Sequence, residues 1–274
     1  MAWEIIVTYR DLLVAKSKGL FEDETLPPMS LISSGSAAIA IQSALTEFEL
    51  PDLKVLMDYK IDTSITEHLE SMGAEVYLMD LSLKMLDAPE ILELTNNLQG
   101  NDITSSTALD PNQRFYDWLS YEIINESPDY CFVPYGSGTL FTNLLNINKH
   151  EVTTIVPDPR FKGDQETTAH CHFLGAATSN PSTQADKLWS PFLPFGISDL
   201  QWLKWYRNLG YCGKLSGIYP FQEKYLDQAI KIFRKNVIEA EPSGMAGLAL
   251  LLQMQDSVPA DAKVMIVNTG KLKF

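Results

Sequence analysis

Two periods of apolar spacing take turns along the chain. Short runs such as "SLISS" (30–34), "LKVLMD" (53–58), "AEVYLMD" (74–80), "YCF" (130–132), "VTTIVP" (152–157) and "AKVMIVN" (262–268) read as strands. Between them lie helical spacings: "AAIAIQSALTEF" (37–48), "SITEHLESMG" (64–73), "APEILELTNNL" (88–98), "QRFYDWLSYEIINE" (113–126) and "LFTNLL" (140–145). Towards the end come "LQWLKWYRNLG" (200–210), "EKYLDQAIKIFRK" (223–235) and the small-residue run "MAGLALLLQ" (245–253). An earlier amphipathic helix, "RDLLVAKSKGLF" (10–21), is closed by Gly19. Polar, turn-rich stretches at 22–29 and 99–112 predict loops, and residues 158–200 hold no sustained period.

Strands that alternate with helices predict a parallel, helix-covered sheet, the α/β class. In such sheets ligands bind beyond the carboxyl ends of the strands. Four turns stand at or after the end of a β-like run: "SSGSAAIA" (33–40), "VPYGSGTL" (133–140), "EAEPSGMAGLALL" (239–251) and "VNTGKLK" (267–273). In the second, Gly136 and Gly138 let the backbone approach closely, and Ser137 and Thr139 offer hydroxyls. The helix that follows presents unpaired N–H groups at its start, which makes a mouth for an anion.

Composition narrows the partners. The chain has 274 residues, enough for one large or two small domains, and 45% of them are apolar, an ordinary globular share. Its 21 Lys and Arg face 35 Asp and Glu, a formal net charge of −14 that repels phosphate backbones and argues against nucleic acid. No apolar run approaches the ~18 residues of a membrane span, and "MAWEIIVTYRDLL" lacks both a basic leader and a small-residue cleavage site. Cys131, Cys171 and Cys212 are odd in number and set in apolar surroundings, which reads as reduced, buried thiols in a cytoplasmic protein. "HCH" (170–172) has no partner at metal-ligand spacing, so no metal site is expected.

The order and spacing of the four turns resemble the fold-type II pyridoxal-phosphate enzymes, which include the tryptophan synthase β-subunit, cysteine synthase, threonine synthase and the serine/threonine dehydratases. The stretch "DQAIKIFRKNVIEAEPSGMAGLALLLQ" (227–253) looks most like threonine dehydratases and threonine synthases, and "GAEVYLMD" and "YEIINESPDYCFVPYGSGTL" also match in order. This resemblance implies two α/β domains with a cleft between them: a smaller one over 22–110, and a larger one from 1–21 and 111–274. It implies pyridoxal 5'-phosphate as cofactor, with Gly136, Ser137, Gly138 and Thr139 on its phosphate, Ser36 near its ring oxygen and Thr269 against its pyridine nitrogen. Ser33, Ser34, Gly35 and Ala37 correspond to the loop that receives the substrate carboxylate. The ordinary alternative for that loop is a strand-to-helix turn with a serine cap. A small amino-acid or phosphate ligand and a homodimer complete the implied picture.

Two positions depart from the family pattern. Ser36 replaces an asparagine, and its hydroxyl reaches less far. Aligning the family's arginine with Arg10 puts Thr8 where the catalytic lysine belongs. A threonine cannot form an imine, so it can neither anchor the cofactor covalently nor return a proton at the α-carbon. Lys16, Lys18, Lys271 and Lys273 are not placed to replace it. The expected function is therefore a divergent, catalytically impaired member that binds a phosphate, the cofactor or an amino acid. One alternative is an active lyase or synthase on an amino acid, of the cysteine synthase or threonine dehydratase kind. Another is a serine hydrolase using Ser137, although Tyr135 stands where a G-x-S-x-G elbow needs glycine and only His170 or His172 follows as base.

Overall fold

The computed structural model describes residue 18 and residues 26–104, 116–189 and 201–270. Residue 18 apart, the expected helix at 10–21 lies outside the described residues, as do the positions Thr8, Arg10, Lys16, Lys271 and Lys273. The chain divides into two compact units, residues 1–115 with 274, and residues 116–273.

The first unit is built on a four-stranded sheet of β1 (Met29–Ile32), β2 (Lys54–Asp58), β3 (Glu75–Met79) and β4 (Asn101–Asp102), in the order β3-β2-β1-β4, with every pair parallel. The helices α1 (Ser36–Glu47), α2 (Thr63–Ser71) and α3 (Ala88–Leu94) connect them. Alternate residues Met29 and Leu31, and Val55 and Met57, enter one core with Ala38, Ile41 and Leu45 of α1 and Ile65 and Leu69 of α2. The strand period of two and the helix period of 3.6 thus bury the same face. On β1 the buried Ser30 hydroxyl meets Thr95 Oγ1 at 2.7 Å and accepts from Asn97 Nδ2 at 2.9 Å. Asp87 and Glu90 form a reciprocal cap at the start of α3.

The second unit holds β5 (Tyr130–Pro134), β6 (His172–Ala177), β7 (Gly217–Pro220) and β8 (Val264–Ile266), in the order β7-β6-β5-β8, again all parallel. One face packs under α4 (Asp117–Asn125), α5 (Thr139–Thr153), α6 (Gln165–His170) and α7 (Gln201–Asn208), with Cys131, Val133, Phe141, Leu144 and Phe173 in the core. The other face packs under α8 (Glu223–Lys235) and α9 (Ala246–Met254), with Tyr130, Phe132, Leu226, Ala229 and Ala249. Both faces are covered, as an all-parallel sheet requires. The small residues of α9 have a purpose: a Cβ on Gly247 would stand 2.9 Å from the carbonyl oxygen of Phe132.

Two expectations need correction. "VTTIVP" is not a strand, because α5 runs on to Thr153 and leaves Ile155 and Val156 exposed. The buried Glu151 holds that last turn, accepting from the Tyr121 hydroxyl at 2.6 Å and the Asp158 N–H at 3.1 Å. Within 158–189, where the sequence holds no sustained period, the chain carries α6 and β6. The turn at 239–251 follows helix α8 rather than a strand.

Candidate functional site

Three of the four turns follow carboxyl ends of strands: 33–36 after β1, 135–139 after β5 and 267–270 after β8. The one after β5 is shaped by its glycines. Gly138 caps α5 in a left-handed conformation (φ 82°) and contributes no side chain to the helix end. The first bond into the helix runs from the Thr142 N–H to the Gly138 carbonyl at 2.8 Å, so the preceding amides point out of the helix end. Ser137 Oγ and Thr139 Oγ1 lie 3.0 Å apart on the same turn. Outward amides, two hydroxyls and the positive end of a 15-residue helix form a donor set suited to a phosphate.

Tyr135 forms the floor of this turn. Its hydroxyl stands 2.6 Å from where a Cβ on Gly138 would be, and its ring meets Phe141 edge-on at 5.6 Å. Burial pushes the phenol up to about 12, which keeps it a neutral donor.

The loop after β6 joins this turn to the other two of the unit. A Cβ on Gly136 would lie 3.2 Å from the Lys187 carbonyl oxygen. The Lys187 N–H donates to Ser243 Oγ at 3.2 Å, and its ammonium pairs with the Glu241 carboxylate. The Glu241 N–H reaches the Gly270 carbonyl at 3.4 Å. Gly244 packs so tightly on the last turn that a Cβ would meet the Thr269 carbonyl oxygen at 2.3 Å. Gly136–Thr139, the Pro242–Met245 turn and Thr269 are thereby brought together at one end of the second sheet. Sequence reasoning singled out that trio of turns but missed what links them. Lys187 lies in the stretch without period, and Glu241 and Ser243 were visible only as letters of "EPSG". Tyr135 gave a signal, a large aromatic directly before Gly-Ser-Gly.

In the first unit, the loop 33–37 is a tight turn. Gly35 takes φ 119°, and Ser33 Oγ accepts from the Gly35 N–H at 3.1 Å and the Ala38 N–H at 3.3 Å. The Ser33 hydroxyl therefore serves the helix start, while Ser34 and Ala37 are exposed.

The histidines lie elsewhere. His172 opens β6 and pairs in register with Tyr130, at the amino end of the sheet. Ser137 follows the carboxyl end, so at ~3.3 Å per strand residue the two are roughly 20 Å apart. This separation removes His172 and its neighbour His170 as bases for a Ser137 hydrolase. Burial lowers the His172 imidazole and pushes the Cys131 thiol up to about 12. Cys131, Cys171 and Cys212 are all buried and free. Among the described residues no His, Cys, Asp and Glu side chains gather as a metal site would need, and no helix is long and apolar enough to cross a membrane.

The comparisons agree with this architecture. No curated protein matches the sequence. Among solved structures, O-ureido-L-serine synthase is 15% identical with a TM-score of 0.65, covering 98% of this chain and 78% of that one. The O-acetylserine dependent cystathionine beta-synthase from Helicobacter pylori gives 0.64 at 14% identity, over 94% of this chain and 78% of its own. The threonine deaminase of T.th. gives 0.59 at 18% identity, over 95% and 82%. At these identities the likeness is one of fold. The family model described as pyridoxal-phosphate dependent enzyme matches residues 29–270. Two parallel α/β sheets, the ordered glycine turns and that match lead to one statement: the chain belongs to the pyridoxal-phosphate-dependent enzyme family, with the fold-type II architecture.

Proposed function

We propose that this chain is a divergent fold-type II protein that binds pyridoxal phosphate, or a smaller phosphate or amino-acid ligand, and lacks the family's imine chemistry. The observation that carries the binding half is the Gly136–Thr139 turn, whose amides and hydroxyls open at the start of α5 and which Lys187, Ser243 and Gly244 link to the Thr269 turn. In this reading Gly136, Ser137, Gly138 and Thr139 hold the phosphate, and the Thr269 hydroxyl accepts or donates at the ring nitrogen. Ser36 stands in for the asparagine near the ring oxygen, and the 33–37 loop, with Ser33, Ser34, Gly35 and Ala37, receives a carboxylate. The impaired half rests on the sequence alone, which puts Thr8 at the lysine position.

When bound, pyridoxal phosphate supplies an electrophilic aldehyde and a ring that stabilises negative charge at an amino-acid α-carbon. This chain would hold that group through its phosphate and screen it from water with the buried aromatic floor of Tyr135 and Phe141. The proton at the α-carbon would find no amine at residue 8 to take it. A cytoplasmic homodimer is the setting that goes with this reading.

The test is the visible spectrum of the purified protein with added pyridoxal phosphate, before and after borohydride, followed by peptide mapping. We expect reversible binding, no pyridoxyl adduct on the segment 1–18, and dehydratase and cysteine synthase activities at background. Thr8→Lys should gain a borohydride-trappable visible band if residue 8 occupies the family position. A trapped lysine in the wild type would replace this reading with the active lyase or synthase.

A further inference from the structure

Lys187 and Glu241 have no role in the phosphate reading, yet they join its parts. Lys187 touches two turns at once. Its carbonyl oxygen fills the space that a side chain on Gly136 would need, at 3.2 Å, and its N–H is shared between Asp186 Oδ1 at 2.9 Å and Ser243 Oγ at 3.2 Å. Leu188, the next residue, is buried in the core beneath, with its Cδ2 3.5 Å from the same Gly136 position. The ammonium then crosses to Glu241, and both side chains are under one fifth exposed (17% and 19%). Glu241 in turn rests on the last turn. Its N–H reaches the Gly270 carbonyl, and its Oε1 lies 2.8 Å from where a Cβ on Gly270 would be. One continuous set of contacts therefore runs from the anion turn at Gly136, through Lys187 and Glu241, to the turn that carries Thr269.

We infer that the Lys187–Glu241 pair fixes the spacing between the Gly136–Thr139 turn and the Thr269 turn, which makes Lys187 a positioning residue that selects ligands by length. This rests on the phosphate-binding reading of the turn. A bare phosphate needs only the amides and hydroxyls at the start of α5. A ligand that also carries a ring nitrogen must meet Thr269 at the same time, and a second contact strengthens binding only where the spacing of the two is held. A pair this sheltered resists separation more than a surface pair, because parting the two groups would leave each charge poorly solvated. The ammonium acts on the turns through the Glu241 carboxylate and not on the ligand.

The experiment compares two probes on the full chain, inorganic phosphate and pyridoxal phosphate, by calorimetry. Wild type should bind both. Lys187→Ala should bind inorganic phosphate within about two-fold of wild type and pyridoxal phosphate about ten-fold more weakly. Glu241→Gln breaks the same pair from the other side and should give the same split, which keeps the test alive should one variant fold poorly. The exchanged pair, Lys187→Glu with Glu241→Lys, should recover pyridoxal-phosphate affinity, because the strut is restored although the charges have traded places. Equal loss of both probes, no loss of either, or failure of the exchange to rescue would overturn the inference while leaving the phosphate reading intact. A wild type that binds neither probe overturns the phosphate reading, and the inference falls with it.

Discussion

At the scale of single residues, two glycines with the same backbone conformation separate a functional constraint from a generic one. Gly138 and Gly210 both adopt a left-handed φ, 82° and 75°. A methyl group on Gly210 would find nothing within 4 Å, whereas one on Gly138 would meet the Tyr135 hydroxyl at 2.6 Å and its ring carbon at 2.7 Å. Replacing Gly210 by alanine should therefore cost only the left-handed penalty, about 1 kcal/mol. Gly138→Val adds a displaced buried tyrosine to a strained β-branched residue, and should cost about 3 kcal/mol. It should also remove phosphate binding, since the turn cannot close over Tyr135. Denaturant melts of the two variants with and without phosphate check both halves, and a Gly138→Val protein that still gains stability from phosphate would contradict the assigned turn. The sequence made the glycines of this turn legible, because Gly-Ser-Gly-Thr before a helical period has a physical meaning on its own. It could not make Tyr135 legible as their floor, since that depends on which way one ring folds under the chain.

At the scale of elements, the end of α8 shows a local rule being broken. Its closing bonds run from the Val237 N–H to the Arg234 carbonyl at 3.3 Å and from the Ile238 N–H to the Phe233 carbonyl at 3.0 Å. This paired pattern normally places glycine at the left-handed position. Here Val237 sits there at φ 57° with 85% of its surface exposed, so its side chain offsets little of the strain. Val237→Gly should accordingly raise stability by about 1 kcal/mol, read as a higher thermal midpoint. A lower midpoint would mean that the exposed valine packs against something in solution. The helices were the legible elements, since α2 and α8 each carry an apolar stripe, α1 buries Ala38, Ile41 and Leu45 at helical spacing, and α9 is apolar nearly throughout. The strands of the second sheet were harder. β6 ends in Gly175, Ala176 and Ala177, residues with little strand preference, and a Cβ on Gly175 would meet the Tyr135 ring at 3.1 Å. Small residues are there because a neighbour's ring needs the space, and a single strand read alone does not disclose its neighbour. β7 is four residues long and β4 only two, too short for any period to register. "VTTIVP" misled for the opposite reason, as β-branched residues suggested a strand where Glu151 and its buried partners extend a helix.

At the scale of the whole molecule, the candidate site must attract an anion to a chain with a formal charge of −14. Two fields of different range are in competition. The repulsion from the summed charge is long-ranged, and the attraction from the first turn of α5 is confined to a few ångströms. Salt separates them. Between about 0.01 M and 0.15 M ionic strength the screening length falls from ~30 Å to ~8 Å, which suppresses the distant repulsion more than the hydrogen bonds at Gly136–Thr139. Phosphate affinity should thus rise a few-fold over that range in a weakly coordinating salt, the reverse of what a basic patch would show. The part of the site carried by the Ser137 and Thr139 hydroxyls should be insensitive to the change, so Ser137→Ala should lower affinity by the same factor at both ionic strengths. Titration of inorganic phosphate at the two salt concentrations decides the matter. A steep fall with salt would place the anion on clustered lysines, not at the helix start, and would remove the physical basis for reading the Gly-Ser-Gly-Thr turn as a phosphate site.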